Sequence, residues 1–298
     1  MSRLKIVHRT GFRYEQPATA SYNEARMLPH SREGQFVLQA TLDISPTATQ
    51  HSYSDYWDTR VSTFELLTPH QVLSVTATSV VDVRPLPTAT AGIDWDELES
   101  RIPQSLALAE CVAQTPATAP DDEMRDLALH FEAEGGGVDE TALDICRAVG
   151  EAMEYRSGVT GVSSTARDAW PARSGVCQDI AHVALGVLRA AGIPARYVSG
   201  YLHPDPTAAI GQAVTGESHA WVEWYSGEWR GYDPTNLVDI GESHVYVGHG
   251  RDYVDVAPLR GCMPDPARRS CSSRWRSRAS AEATAWPDDA RQWGRMRR

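Results

Sequence analysis

Cys177 stands where a Ser174-Gly175 turn gives way to a periodic apolar run, Ile180, Val183, Ala184, Val187 and Leu188. That spacing predicts a helix that begins near Cys177 and stops at Gly192 and Pro194. A thiol in a first helical turn faces unpaired backbone N–H groups and the positive end of the dipole. Both favour thiolate, the nucleophilic form. His219 follows on a strand-like run and Asp233 on the next. A Cys, His and Asp in this order suits nucleophilic acyl chemistry. Cys177 would attack an acyl carbon to give a thioester. His219 would keep the thiol ionised and protonate the leaving amine, and Asp233 would orient the imidazole. The Cys177 backbone N–H would hold part of the oxyanion, with the second donor unassigned.

Each residue also has a plainer role. Cysteine is often a small core hydrophobe, and Asp before Pro234 is an ordinary turn residue. His182, on the same helix, suits a core histidine better than a base or ligand. A metal site of His182 or His219 with Cys177 matches no standard ligand spacing. Trp221, Trp224 and Trp229 could line an acyl cleft, although core or hairpin packing is the simpler assignment. Only the combination points to chemistry.

Whether His219 and Asp233 meet depends on hairpin register. A three-residue loop, Tyr225-Ser226-Gly227, with Gly227 left-handed, pairs Trp224 with Glu228 and puts His219 directly opposite Asp233 on one face. A two-residue loop would put them on opposite faces.

The elements that must position these groups follow a strand, helix, strand order. Residues 1–87 alternate with a period of two: Phe36, Leu38, Ala40, Leu42 and Ile44 in one run, Leu73, Val75, Ala77, Val81 and Val83 in another. They predict a small antiparallel β-domain. Residues 88–122, rich in Pro, Ala and Thr, predict a linker with at most a short helix at 94–100. Helices are predicted at 123–134 and 139–154, the latter with Leu143, Cys146, Val149 and Met153 on one stripe. Strands follow at 195–202, 218–225 and 228–233, with a loop at Pro204-Asp205-Pro206 and an ordered signal at 245–261. Helices followed by strands imply an α+β catalytic domain over 123–261. Residues 262–298 lose periodicity, and their arginine-rich composition predicts a disordered tail whose removal leaves the melting temperature nearly unchanged.

Composition sets the outer limits. The 298-residue chain carries a formal charge of −11, which argues against non-specific nucleic-acid binding. No run approaches the ~18–20 apolar residues of a membrane span, and Met1-Ser2-Arg3-Leu4-Lys5 does not begin a signal peptide. A cytoplasmic location is the expectation. Five cysteines without a C-x-x-C pair disfavour a disulfide framework or zinc knuckle.

The run Gly175-Val176-Cys177-Gln178-Asp179-Ile180-Ala181-His182, with Gly192-Ile193-Pro194-Ala195-Arg196-Tyr197 after it, resembles the transglutaminase-like superfamily. More narrowly it is similar to the bacterial branch of transglutaminase-like cysteine peptidases. His219-Ala220-Trp221-Val222-Glu223, Asp233-Pro234-Thr235-Asn236 and Gly250-Arg251-Asp252-Tyr253 match further blocks, and Ser21-Tyr22-Asn23-Glu24-Ala25-Arg26 looks like the accompanying N-terminal β-domain. The resemblance implies a papain-like core, a Cys177, His219 and Asp233 triad, and acyl transfer or hydrolysis on peptide or glutamine amides without a cofactor. No loop here has calcium-ligand spacing. Asp58-Thr59 replaces the branch's Gly-Asn turn, and sequence unrelated to the family's final strand begins at Cys262-Met263-Pro264. The triad leaves open whether water or an amine resolves the thioester. The contrasting class is a non-catalytic binding module that retains the fold.

Overall fold

A computed structural model describes residues 2–84, 92–205, 209, 211–216, 218–262, 264–265, 268–271 and 280–286. Six strands come first: β1 (Ser2–Ala18), β2 (Ser21–Ala25), β3 (Gln35–Ser45), β4 (Gln50–Ser54), β5 (Arg60–Leu66) and β6 (His70–Val83). All their pairings are antiparallel. Phe12, Tyr14, Met27, Leu28, Phe64, Leu73 and Val75 fill the core between the sheets. Each large apolar side chain buried there contributes on the order of 1.5–3 kcal/mol.

Period-two alternation places Leu73, Val75, Ala77, Val81 and Val83 inward on β6. On β3 the register against β6 shifts between Val37 and Gln39. The predicted inward face therefore splits at that irregularity: Leu42 is buried, while Phe36 and Leu38 are exposed.

Helices α1 (Trp95–Arg101), α2 (Leu106–Val112), α3 (Asp122–Ala133) and α4 (Val138–Ala152) follow. The first falls on the short helix expected at 94–100, whereas α2 is a further helix inside the segment expected to be a linker, which the structure corrects. Leu98, Leu108 and Cys111 are buried, and the Arg189 guanidinium donates to the Cys111 carbonyl at 2.9 Å. Ser105 caps α2 by accepting from Leu108 N–H. The apolar positions of α2 are too few to show a period, so packing rather than pattern defines it. The expected domain boundary at residue 87 and the start of that linker lie outside the described residues.

Next come β7 (Glu154–Tyr155), α5 (Ala166–Ala172), β8 (Ser174–Gly175), α6 (Cys177–Ala190), β9 (Ala195–Leu202), β10 (Ala213–Gly216), β11 (Ser218–Tyr225), β12 (Trp229–Asp233), β13 (Val238–Asp239), β14 (His244–Gly250) and α7 (Tyr253–Val256). An antiparallel sheet in the order β13-β12-β11-β9-β14 has α6 against one face. Ala220, Val222 and Trp224 of β11 point to that helix, and Trp221 points to the other side with Val198 and Tyr246. The N-terminal β-region meets this sheet at β14. Gln35 donates to the Tyr246 carbonyl and accepts from its N–H, at 2.9 and 2.8 Å, and Tyr201 donates to the Met27 carbonyl.

The chain then returns to the N-terminal sheets through β15 (Leu259–Cys262), which pairs with β2. Two short strands, β16 (Pro264–Asp265) and β17 (Arg268–Cys271), pair with each other, and β18 (Ser280–Trp286) lies between β1 and β10. This corrects the expectation of disorder for those described residues of 262–298. The edge of β1 carries unpaired backbone groups that attract a further strand of almost any composition. Cys262 is disulfide-bonded, contrary to the expectation for the cysteines, whereas Cys111, Cys146 and Cys177 are free. The remaining positions of the tail, and Pro206 of the predicted loop, lie outside the described residues.

Candidate active site

Cys177 is the first residue of α6, a helix buried along nearly its whole length. The preceding turn is held from inside. Asp179 accepts from Val176 N–H at 2.8 Å and from the Thr160 hydroxyl at 2.6 Å. Burial raises the Asp179 pKa, and these two hydrogen bonds work against that rise. Gly175 belongs to the same arrangement, since a Cβ there would lie 2.7 Å from the Asp179 carboxylate. Its strand, β8, runs parallel to β7 and joins Glu154 and Tyr155 to the base of the helix. Backbone N–H groups in a first turn have no acceptor within their helix, so the tip of α6 offers donors beside the sulfur.

The structure brings all three sequence-predicted residues together. His219 Nε2 lies 2.7 Å from Asp233 Oδ2. Cys177 is near enough to His219 to help raise the imidazole pKa, and its Sγ donates to the Ser218 carbonyl at 4.0 Å. With Nε2 engaged by the carboxylate, Nδ1 is the imidazole atom left for sulfur. Burial alone would lower the His219 pKa. Hydrogen bonds and charge from Asp233 and Cys177 outweigh it and raise the value to about 10. Asp233 is fully buried, which disfavours its charge, yet its hydrogen bonds hold it well below the usual carboxylate range. Both shifts point to an ionised Asp233 and a cationic His219.

The hairpin does not reach this geometry by the predicted register. Trp224 pairs with Arg230 and Tyr225 with Trp229, so the loop is Ser226-Gly227-Glu228, shifted along the chain. His219 is not directly opposite Asp233. Parity is preserved, so the two share a face and meet diagonally. Ile93 N–H donates to the Ser226 carbonyl at 3.0 Å, while Trp224 Nε1 and the Ser226 hydroxyl donate to Asp139. These tertiary bonds choose the turn over local preference.

Two neighbours were not singled out in the sequence. Asn236 donates from Nδ2 to Asp233 Oδ2 at 2.8 Å, and its backbone N–H and that of Thr235 reach Oδ1. His244, on β14, places Nε2 3.3 Å from the same Oδ2. The Asp-Pro-Thr-Asn turn could have signalled Asn236, but His244 is brought in by non-local strand pairing that leaves no mark in the local sequence.

The other candidates have structural positions. His182 Nε2 accepts from Tyr253 N–H at 3.1 Å, and burial lowers its pKa to about 4. Trp221 and Trp224 are core residues, and Trp229 lies beneath the Arg196 guanidinium, 4.0 Å away. The thiols of Cys111 and Cys146 are buried, the first pushed up to about 11 and the second higher still. Cys177 is thus the accessible thiol among the free cysteines described. Among the described residues no three His, Cys, Asp or Glu side chains form a metal-binding group, and no helix is long and apolar enough to cross a membrane.

Comparison with known proteins places this geometry in context. Residues 4–82 match the family description "Bacterial transglutaminase-like N-terminal region", and residues 126–234 match "Transglutaminase-like superfamily". The uncharacterized protein ML0607 of Mycobacterium leprae is 42% identical over 264 residues, covering 88% of this chain and 93% of that protein. The chain belongs to the transglutaminase-like superfamily. A crystal structure of a candidate cysteine protease from Cytophaga hutchinsonii has the same fold, with a TM-score of 0.72 at 22% identity over 97% of this chain and 92% of that one. A protein-glutamine gamma-glutamyltransferase of Pseudomonas aeruginosa is 39% identical over 117 residues, 36% of this chain and 17% of that protein. The α+β core with its preceding antiparallel β-region is therefore the transglutaminase-like, papain-like architecture.

Proposed function

We propose that this protein is a cysteine-nucleophile enzyme of acyl transfer or hydrolysis, acting on peptide or glutamine side-chain amides through a thioester on Cys177. The observation that carries the reading is the buried Asp233 carboxylate 2.7 Å from His219 Nε2, beside Cys177, the only free thiol described that is not buried.

In the first half-reaction Cys177 Sγ attacks the amide carbon, its proton having passed to His219 Nδ1. The oxyanion forms beside the first-turn N–H groups, including that of Cys177 itself. Collapse breaks the C–N bond as the imidazolium gives its proton to the leaving nitrogen. In the second half, water or an amine attacks the thioester while His219 accepts its proton, and the thiolate leaves. Asp233 stays ionised throughout and keeps Nε2–H in place.

The test is incubation of a glutamine-containing peptide with a labelled primary amine. Amine incorporation that Cys177→Ala abolishes supports transfer, and ammonia release or backbone cleavage supports hydrolysis. A protein that does neither, and whose Cys177 reacts with iodoacetamide no faster than a free thiol, is the non-catalytic module instead.

A further inference from the structure

The Asp233 carboxylate is pulled from two directions. Thr235 N–H, Asn236 N–H and Asn236 Nδ2 all come from the turn that follows it, so they draw the group back toward its own loop. Among the described residues, the one donor to Oδ2 from outside this turn, apart from His219 itself, is His244 Nε2. It arrives from β14, which sits at the far edge of the sheet beyond β11 and β9.

The His244 ring is fixed in three ways. Its Nδ1 lies 3.3 Å from Gly241 N–H, which can only donate. The lone pair must therefore be on Nδ1 and the proton on Nε2, aimed at Asp233. The same short turn closes with His244 N–H on the Gly241 carbonyl at 3.0 Å. Finally, the Trp221 indole meets the ring edge-on, with centroids 5.4 Å apart. That indole crosses β9 at Gly200, where a Cβ would lie 2.4 Å from Trp221 Cη2. A glycine is thus needed on the intervening strand for the rings to pack. The ring itself is buried.

Building on the proposed function, we infer that His244 is a positioning residue. As an Nε2–H donor it holds Asp233 Oδ2 turned toward His219, so that the Cys177–His219 pair is kept ready for attack. The titratable groups facing the carboxylate are His219 from β11 and His244 from β14, and Cys177 from α6 faces His219 in turn. Asn236 is a neutral donor to the carboxylate, and Trp221 packs against both imidazoles.

The experiment reads Cys177 alkylation by iodoacetamide across pH, located by peptide mass spectrometry, and needs no substrate. In His244→Leu the rate near pH 6.5 is expected to fall about tenfold, the loss of one hydrogen bond to a charged group. The deficit should shrink toward pH 10, where thiols ionise without help. His244→Gln, whose amide N–H can stand near the lost Nε2–H, should recover most of the rate. If the leucine variant does not fold, His244→Asn, with its amide nearer the former Nδ1, replaces it. A variant profile that superimposes on wild type, a deficit of constant size at every pH, or a glutamine variant as slow as leucine overturns the inference while leaving the proposed function standing. A wild-type Cys177 no faster than N-acetylcysteine overturns both, since His244 would then have nothing to position.

Discussion

Folding should itself report the His219–Asp233 pair through its pH dependence. His219 is raised from 6.5 to about 10 in the folded protein. Between those values the native state keeps a proton that the unfolded chain has released. Stability from this group is therefore complete below about pH 6.5 and lost as pH climbs toward 10. At 1.36 kcal/mol per pKa unit the full shift amounts to at most ~5 kcal/mol. Asp233 and Cys177 both contribute to the rise, so removing the sulfur should leave only the part due to Asp233, below that ceiling. The measurement is urea unfolding from pH 6 to pH 10 in a Cys177→Ala background, with and without His219→Gln. Using that background removes the thiol's own titration. The His219-containing protein should lose more stability than its glutamine counterpart across this range, by up to ~5 kcal/mol. Parallel curves would refute the reasoning, because a histidine that titrates alike in both states can have no buried anionic partner.

Three other perturbations have definite expected outcomes. Gly175→Ala sets a Cβ against Asp179 and should destabilise by about 1–3 kcal/mol, seen as a lower thermal midpoint and slower Cys177 alkylation. Gln35→Ala strips both partners from the Tyr246 backbone, which should cost about 2–4 kcal/mol in denaturant unfolding; an unchanged midpoint would deny that Gln35 clamps β14. Ending the chain at Gly261 unpairs β1 from β18 and should lower the melting temperature by several degrees, the reverse of what the tail's composition suggests.

Where residue pattern and local chemistry act over a few positions, the sequence was legible. The apolar period after Cys177 marked α6, and β11 begins and ends at the residues its pattern implies. The parity of the hairpin was sound even though its register was not. Gly227 does adopt positive φ, at 104°, but as the middle loop residue, because contacts from Ile93 and Asp139 outweigh turn preference. The irregular register in β3 hid which of Phe36, Leu38 and Leu42 would be buried. Helix α5 carries Pro171 inside it and ends before Arg173, whose φ is 47° and whose guanidinium covers Trp170. His244 had no local signal at all, since a strand three positions away in the sheet delivers it.

The most direct test of the account is to look for the thioester. The protein is mixed with a glutamine-containing peptide, quenched in acid within the first turnovers and digested for mass spectrometry. The account predicts an acyl adduct on the Cys177 peptide that hydroxylamine removes, and that Cys177→Ala lacks. Its accumulation should be strongly reduced in His219→Gln. Amide turnover with no such adduct in the wild type, or undiminished turnover in Cys177→Ala, would contradict it.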